Sequence, residues 1–304
     1  MPQAKTITTT TGLQLAALDF GGEGDLVLLL HGAGRSAADW LSMAPHLTPH
    51  GRVVAMDLRG HGQSSCGPWT LDHALADIDE VIGRYEARRP ILIGHSLGGV
   101  LATVFALKLN AVRALINLDG FALHADEYVG ISAAEAIEFR ERADLKWDWS
   151  SPVLTRKKVH AAVLETARHY GLEADVATAV VFRRLAALNQ DTYGYRNDTI
   201  TRDGVRDLYR SFLLDRSFFE LVKGSTCPSL FFRSKTGTPP AKMPDWQRAL
   251  DNAYIRGLDS RIAVLEESER ATVLPRETSH MMLLEEPAAL ALEINAFLSA
   301  LRAY

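Results

Sequence analysis

Ile91-Leu92-Ile93-Gly94-His95-Ser96-Leu97-Gly98-Gly99-Val100 decides how the rest of the chain is read. Three apolar residues run into a glycine, and Ser96 has a glycine two places away on either side. The apolar stretch Leu97–Leu109 follows. That pattern predicts a buried strand, a sharp turn and a helix, which is the context a G-x-S-x-G motif needs. The turn strains the serine backbone, and side chains at 94 and 98 would clash with it, so glycine is favoured there. Such a turn lifts the Ser96 hydroxyl out of the sheet. The helix beginning at Leu97 aims its positive N-terminal end at the same spot. Ser96 is therefore the candidate nucleophile.

Outward from this turn the chain alternates. On the N-terminal side, Leu26–Leu30 and Arg52–Met56 read as strands. Ser36–Leu47 reads as a helix with Ser36 as its cap, and Thr70–Arg88 as a helix with Leu71, Leu75, Ile78, Val81 and Ile82 on one face. The Thr-rich start, Thr6–Thr11, and Leu13–Leu18 read as a hairpin. On the C-terminal side, Val112–Leu118 is a strand. Such alternation implies crossover connections and a mostly parallel sheet with helices on both faces. Strands that are apolar throughout fit burial on both sides.

The rhythm breaks after Phe121. Residues 122–214 show helical patterns at Ala133–Ala143, Val153–His169, Val176–Leu188 and Val205–Leu214, with aromatics at Trp147, Trp149, Tyr170, Tyr193 and Tyr195. They predict an all-helical insert over the sheet. The alternation returns with a strand at Ser229–Phe232, a helix at Trp246–Leu258, a strand at Ala271–Leu274 and a closing helix at Pro287–Leu301. The expected division is a core of residues 1–121 and 215–304, with an insert of residues 122–214.

Composition narrows the function classes. With 304 residues and 47% apolar content, the chain can bury a large core without staples. Lys and Arg number 33 against 37 Asp and Glu, net -4, and no basic stripe is present, so neither nucleic acid nor anionic lipid is expected as a partner. The two cysteines, Cys66 and Cys227, make no disulfide framework and no zinc spacing, and read as partly buried thiols in a reduced compartment. No apolar run approaches the ~20 residues that span a bilayer, and Met1–Thr11 has no apolar leader. The expectation is a cytoplasmic protein, monomer or homodimer. Gly21-Gly22-Glu23-Gly24 lacks the phosphate-loop pattern and no dinucleotide fingerprint follows the first strand, so no cofactor or metal is expected.

A second motif, Leu29-Leu30-His31-Gly32-Ala33-Gly34, ends the first buried strand. Its small residues leave the Ala33 N–H free to join the Leu97 N–H as an oxyanion hole. His31 reads as a group that hydrogen-bonds this loop.

Four segments together resemble the α/β-hydrolase-fold enzymes of the esterase, lipase and C–C hydrolase type: His31–Gly34, Asp57-Leu58-Arg59-Gly60-His61-Gly62-Gln63-Ser64, Gly94–Gly99, and Ser279-His280-Met281. Their order matches over nearly the whole chain, with the insert where such enzymes carry a cap. Asp57 and His61 then mark the fold, not the chemistry. The resemblance implies that His280, in the loop after the last strand, is the base that takes the Ser96 proton. The acid departs from the common pattern. After the seventh strand, Ser229–Phe232, no carboxylate occurs before Asp245. The other position such enzymes use follows the sixth strand, where this chain has Asp119. Asp119 is the first candidate and Asp245 the alternative.

A serine at the turn disfavours halide or epoxide displacement, which relatives perform with aspartate. It suits attack on acyl carbon. The reading is a cofactor-independent hydrolase of a carboxylic ester or lactone, acting on a small, largely apolar substrate with Phe121 and Leu123 toward it. Two other readings stay open: C–C hydrolysis, acyl transfer or a lyase step on the same scaffold, and a non-catalytic small-molecule binder. Arg140, Arg142, Lys157 and Lys158 could meet a substrate carboxylate or could simply form a solvated helix face.

Overall fold

The computed structural model describes residues 2–109, 112–146, 153–196, 199–214, 218–223, 225–235, 243–267 and 269–301. Trp147, Trp149 and the loop from Thr236 to Pro240 lie outside the described residues.

The first strands, β1 (Gln3–Thr8) and β2 (Gln14–Gly21), form the expected antiparallel hairpin. β3 (Leu26–Leu30) and β4 (Arg52–Met56) follow. Between them the helix expected over Ser36–Leu47 is instead two short 3-10 segments, Ala37–Trp40 and Ala44–His50, and Ser36 makes no side-chain cap. Prolines at 45 and 49 explain the break, since each removes a backbone donor that a continuous helix needs. Helix α1 (Leu71–Arg84) is capped by Thr70, whose hydroxyl accepts the His73 N–H. It leads to β5 (Ile91–His95), α2 (Leu97–Leu109) and β6 (Ala114–Leu118).

The segment beyond Phe121 is mostly helical: α3 (Ala133–Lys146), α4 (Arg156–Tyr170), α5 (Ala174–Phe182) and α6 (Thr199–Leu214). It also holds a small antiparallel sheet, β7 (Leu154–Thr155), β8 (Leu185–Ala187) and β9 (Thr192–Tyr195), so it is not all-helical. The helix expected over Val176–Leu188 stops at Phe182. The following Asn189–Asp191 turn folds Thr192–Tyr195 back onto Leu185–Ala187, and Tyr193 then packs edge-on against Phe182 at 5.8 Å. The core resumes with α7 (Phe218–Lys223), β10 (Ser229–Ser234), α8 (Asp245–Glu266), β11 (Ala271–Arg276), α9 (Met282–Glu285) and α10 (Pro287–Ala300).

The main sheet has eight strands in the order β1-β2-β4-β3-β5-β6-β10-β11. Every pairing from β4 to β11 is parallel. Strand alternation divides the core into two layers. Leu26, Leu28 and Leu30 pack into one cluster, with Val54, Met56, Leu92 and Leu115 and with residues of α1, α2 and α8. Val27 and Leu29 pack into the other, with Val53, Ala55, Ile91, Ile93 and the buried face of α10. α2 is buried along most of its length, which matches its uniformly apolar sequence. Cys66 is exposed and Cys227 buried, neither in a disulfide, so only one of the two is shielded. Among the described residues no helix is long and apolar enough to cross a membrane, and no cluster of three or more His, Cys, Asp or Glu is arranged to hold a metal ion.

Candidate active site

Three strand ends converge. At the end of β5 the chain turns through Ser96, whose φ of 53° lies in the left-handed region that non-glycine residues rarely adopt. The turn is held by the Ser96 N–H, which donates to the Leu118 carbonyl at 3.0 Å, and by Val100 N–H, which donates back to the Ser96 carbonyl at 3.0 Å. The flanking glycines are required by proximity. A Cβ on Gly94 would stand 2.1 Å from the Gly98 carbonyl oxygen, and one on Gly98 2.2 Å from that of Leu30.

At the end of β6, Asp119 also has positive φ, 55°. Asn117 fixes this bend by donating to the Gly120 carbonyl at 2.8 Å and accepting the Gly120 N–H at 2.7 Å. The Asp119 carboxylate is nearly buried. It accepts the Ser234 N–H at 3.0 Å and the Ser234 hydroxyl at 2.6 Å. Its third partner is His280, whose Nδ1 donates to Oδ2 at 2.7 Å. Burial would push the Asp119 carboxyl up, but the His280 and Ser234 hydrogen bonds outweigh it and hold the group below the usual carboxylate range. The bond from Nδ1 leaves His280 Nε2 as the acceptor nitrogen. The imidazole is half exposed.

The carboxylate that meets the His280 ring is thus Asp119. Asp245 instead opens α8 and is exposed. Ser234, which holds Asp119, sits at the end of β10, where a carboxylate was sought and not found.

His95, the neighbour of Ser96, turns to the loop that carries His280. Its Nε2 donates to the His280 carbonyl at 2.7 Å, and the two rings lie 4.8 Å apart. Burial pulls the His95 imidazole down to about 3, so it is neutral at ordinary pH, and it anchors the backbone that carries His280. His31 holds the small-residue loop. Its Nδ1 donates to the Gly32 carbonyl at 2.8 Å and its Nε2 accepts the Leu58 N–H at 3.0 Å. Burial lowers its imidazole to about 4. Ala33 lies next along this loop, partly buried, and Leu97 opens α2, where a first-turn N–H has no intrahelical partner. Asp57 ties the neighbouring turn together. It accepts the Ala37 N–H at 2.7 Å and the Gln63 N–H at 2.8 Å, and pairs with Arg183 of the insert at 2.8 Å.

Sequence reasoning missed Tyr209. The phenol of this α6 residue lies close enough to the Ser96 hydroxyl to feel it. Burial pushes the phenol up to about 12, against the opposing pulls of the Arg140 charge and the Ser96 hydroxyl, so it stays protonated at neutral pH. The signal was present: Tyr209 stands one turn from Val205 on the face where Leu208 and Phe212 are buried. Phe121 and Leu123 line the small chamber that Tyr209 also lines, about 80 Å³ in volume, together with Tyr128, Arg140 and Tyr254. A larger cleft of about 690 Å³ lies between α5 and the start of the core, lined by Phe20, Leu41, Val176 and Phe182, and contains none of these residues.

The chain matches the profile of the Alpha/beta hydrolase family over residues 27–293. Among curated proteins it is similar to a pimeloyl-[acyl-carrier protein] methyl ester esterase of Yersinia enterocolitica, 34% identical over 40% of this chain and 47% of that protein. It is also similar to protein phosphatase methylesterase 1 of Bos taurus, 35% identical over 32% of this chain and 28% of that protein. A 2-hydroxy-6-oxo-2,4-heptadienoate hydrolase of Pseudomonas putida is 30% identical over 45% of this chain and 48% of that protein. The chain thus spans less than half the length of these relatives. Among solved structures, E-2-(acetamidomethylene)succinate hydrolase superposes with a TM-score of 0.72 at 17% identity, covering 98% of this chain and all of that one. That likeness is one of fold.

Proposed function

The chain belongs to the α/β-hydrolase family, and from that premise we propose that it is a cofactor-independent serine hydrolase of carboxylic esters or lactones. Ser96 is the nucleophile, His280 the general base and Asp119 the acid that orients it. The observation that carries this reading is the 2.7 Å bond from His280 Nδ1 to Asp119, which frees Nε2 to accept a proton beside the strained Ser96 turn.

In this reading the Ser96 Oγ attacks the substrate carbonyl as His280 Nε2 takes its proton. The backbone N–H groups of Ala33 and Leu97 bind the oxyanion, each worth ~3 kcal/mol of transition-state stabilisation. The C–O bond breaks, and the leaving alkoxide takes the proton from His280. Water, deprotonated by the same imidazole, then cleaves the acyl-enzyme and restores Ser96. Asp119 stabilises the imidazolium, and its depressed pKa keeps it charged for that task. Phe121 and Leu123 meet the acyl group, and residues 122–214 cap the site.

C–C hydrolysis is a second reading, favoured by the similarity to the Pseudomonas putida enzyme. A fluorophosphonate probe should label Ser96 stoichiometrically, with no labelling of Ser96→Ala. Turnover of a short ester panel with a β-diketone left intact supports ester hydrolysis; the reverse supports the second reading. Absent labelling of the folded protein leaves a binder, not an enzyme.

A further inference from the structure

Arg140, Arg142, Lys157 and Lys158 of the insert could each meet a substrate carboxylate by charge alone, and the structure separates them. Arg142 lies over the Trp246 ring, 4.6 Å from its centroid, and Lys157 and Lys158 are exposed. Arg140 alone of the four lines the small chamber with Phe121 and Leu123, and Phe121 follows Gly120, where a Cβ would stand 2.4 Å from the Ser96 carbonyl oxygen. It also lines a second space, a polar recess of about 410 Å³ between α3 and α6. Tyr209, whose phenol feels the Ser96 hydroxyl, lines both spaces as well. The guanidinium thus stands at the wall between an aromatic chamber and a water-facing recess.

The charges around it are unevenly matched. In the recess, Arg210 pairs with Glu141 at 2.9 Å and Arg206 with Asp203 at 2.9 Å. Among the described residues, none forms an ion pair with Arg140. Asp144, one helical turn along α3, and Asp251 of α8 exchange fields with it without closing to an ion pair, alongside the phenols of Tyr128, Tyr254 and Tyr209. A partly desolvated guanidinium without a carboxylate is costly, and its planar fork matches a carboxylate two bonds at a time. The aromatic chamber is small, about 80 Å³ against the ~300 Å³ or more of a typical ligand pocket, so the group that spans it is short.

We propose that this enzyme acts on half-esters of short dicarboxylic acids: the free carboxylate docks on Arg140, the methylene spacer lies against Phe121, Leu123 and Tyr254, and the ester carbonyl reaches Ser96. Arg140 is then a specificity-determining residue. The proposal rests on Ser96 being the nucleophile and adds the chemical class of the acyl group. Hydrolysis releases the alcohol and the dicarboxylate, with water as the second reactant.

The test compares 4-nitrophenyl hydrogen adipate with 4-nitrophenyl methyl adipate, which has the same chain but no charge. The wild-type protein should favour the anionic ester by about 10- to 100-fold in kcat/KM, the range for hydrogen bonds to charged groups. Arg140→Gln should bring the ratio close to one, chiefly through KM, and Arg140→Lys should restore part of it. A wild-type ratio at or below one, a ratio that survives in Arg140→Gln, or no turnover of either ester overturns the proposal. Labelling of Ser96 by a neutral fluorophosphonate, measured on the same preparations, separates the two failures. A labelled protein without anion preference refutes only the carboxylate site. An unlabelled one refutes the nucleophile and this inference with it.

Discussion

The sheet end that carries Ser96, Asp119 and His280 and the insert that faces it are built by different rules. At the sheet end every candidate group is pinned by several neighbours. Asp119 is held by both polar groups of Ser234, its turn by Asn117, and the His280 backbone by His95. β3, β5 and β6 behind it are buried throughout. Within the insert, α3 and α6 join the main core through Ala136, Val205, Leu208 and Phe212, whereas the part formed by α4, α5 and β8 packs around a small cluster of its own: Val159, Val163, Ala177, Val181 and Leu185. Polar ties link it to the core, Arg183 to Asp57 and Arg184 to the Gly34 carbonyl. The contrast teaches that the groups proposed to react sit where displacement is expensive, whereas the α4, α5 and β8 part of the insert sits where change is cheap.

The sharpest way to break that contrast is at Asp119. Asp119→Asn should lower kcat by about 10⁴ while the fold persists, because the amide no longer holds the productive His280 tautomer. Steady-state kinetics with a circular dichroism melt checks both halves. A few-fold loss would mean that the pinned carboxylate is only structural. A pair of truncations tests the packing side. Phe231→Ala empties a fully buried position in the main core and should cost about 3–5 kcal/mol. Leu185→Ala in the insert cluster should fall at the low end for its type, ~2 kcal/mol or less. Urea denaturation measures both, and equal costs would dissolve the distinction between the regions.

Much of the sheet end was legible because its constraints are local. Gly94, Ser96 and Gly98 announce the turn, since no larger residue fits within 2.2 Å of a carbonyl oxygen. The apolar runs announce the parallel strands. The choice between Asp119 and Asp245 was not local: it depends on which carboxylate the loop with His280 meets across the sheet. Ser234 as its holder was equally hidden, because a serine after a strand has no distinctive pattern. In the insert, short strands such as Leu185–Ala187 exist only by pairing with Thr192–Tyr195, and periodicity alone read that stretch as more helix.

Acid should expose the same division. His31 and His95 are buried and neutral, with imidazoles at about 4 and about 3 against an unfolded value of 6.5. Their folded values are depressed, so the unfolded chain takes up protons first. The stability they permit is complete above pH 6.5 and is lost as the pH falls toward 4 and 3. The loss is up to ~1.4 kcal/mol for each ring for each pH unit. Asp119 adds nothing between pH 6.5 and 5.5, since its own window lies below the ordinary carboxylate value of 3.8. Urea midpoints at pH 6.5 and 5.5 should therefore differ clearly, and His31→Gln should shrink the difference. A flat profile would mean that these rings are not the buried anchors of the site loops.

The smallest expected effect joins the two regions. Tyr209 is an insert residue whose phenol feels the Ser96 hydroxyl. Because its phenol stays protonated, it can give its hydrogen to Oγ and leave the serine proton free to turn toward His280. An ordinary hydrogen bond contributes ~0.5–1.5 kcal/mol, so Tyr209→Phe should reduce kcat/KM by no more than about tenfold and leave the pH profile in place. Fluorophosphonate labelling should slow by a similar factor, since it reports the readiness of Oγ without a bound acyl chain. A loss comparable to that of Asp119→Asn would move part of the reacting machinery onto the insert. A gain in rate would mean that α6 restrains the serine until substrate displaces it.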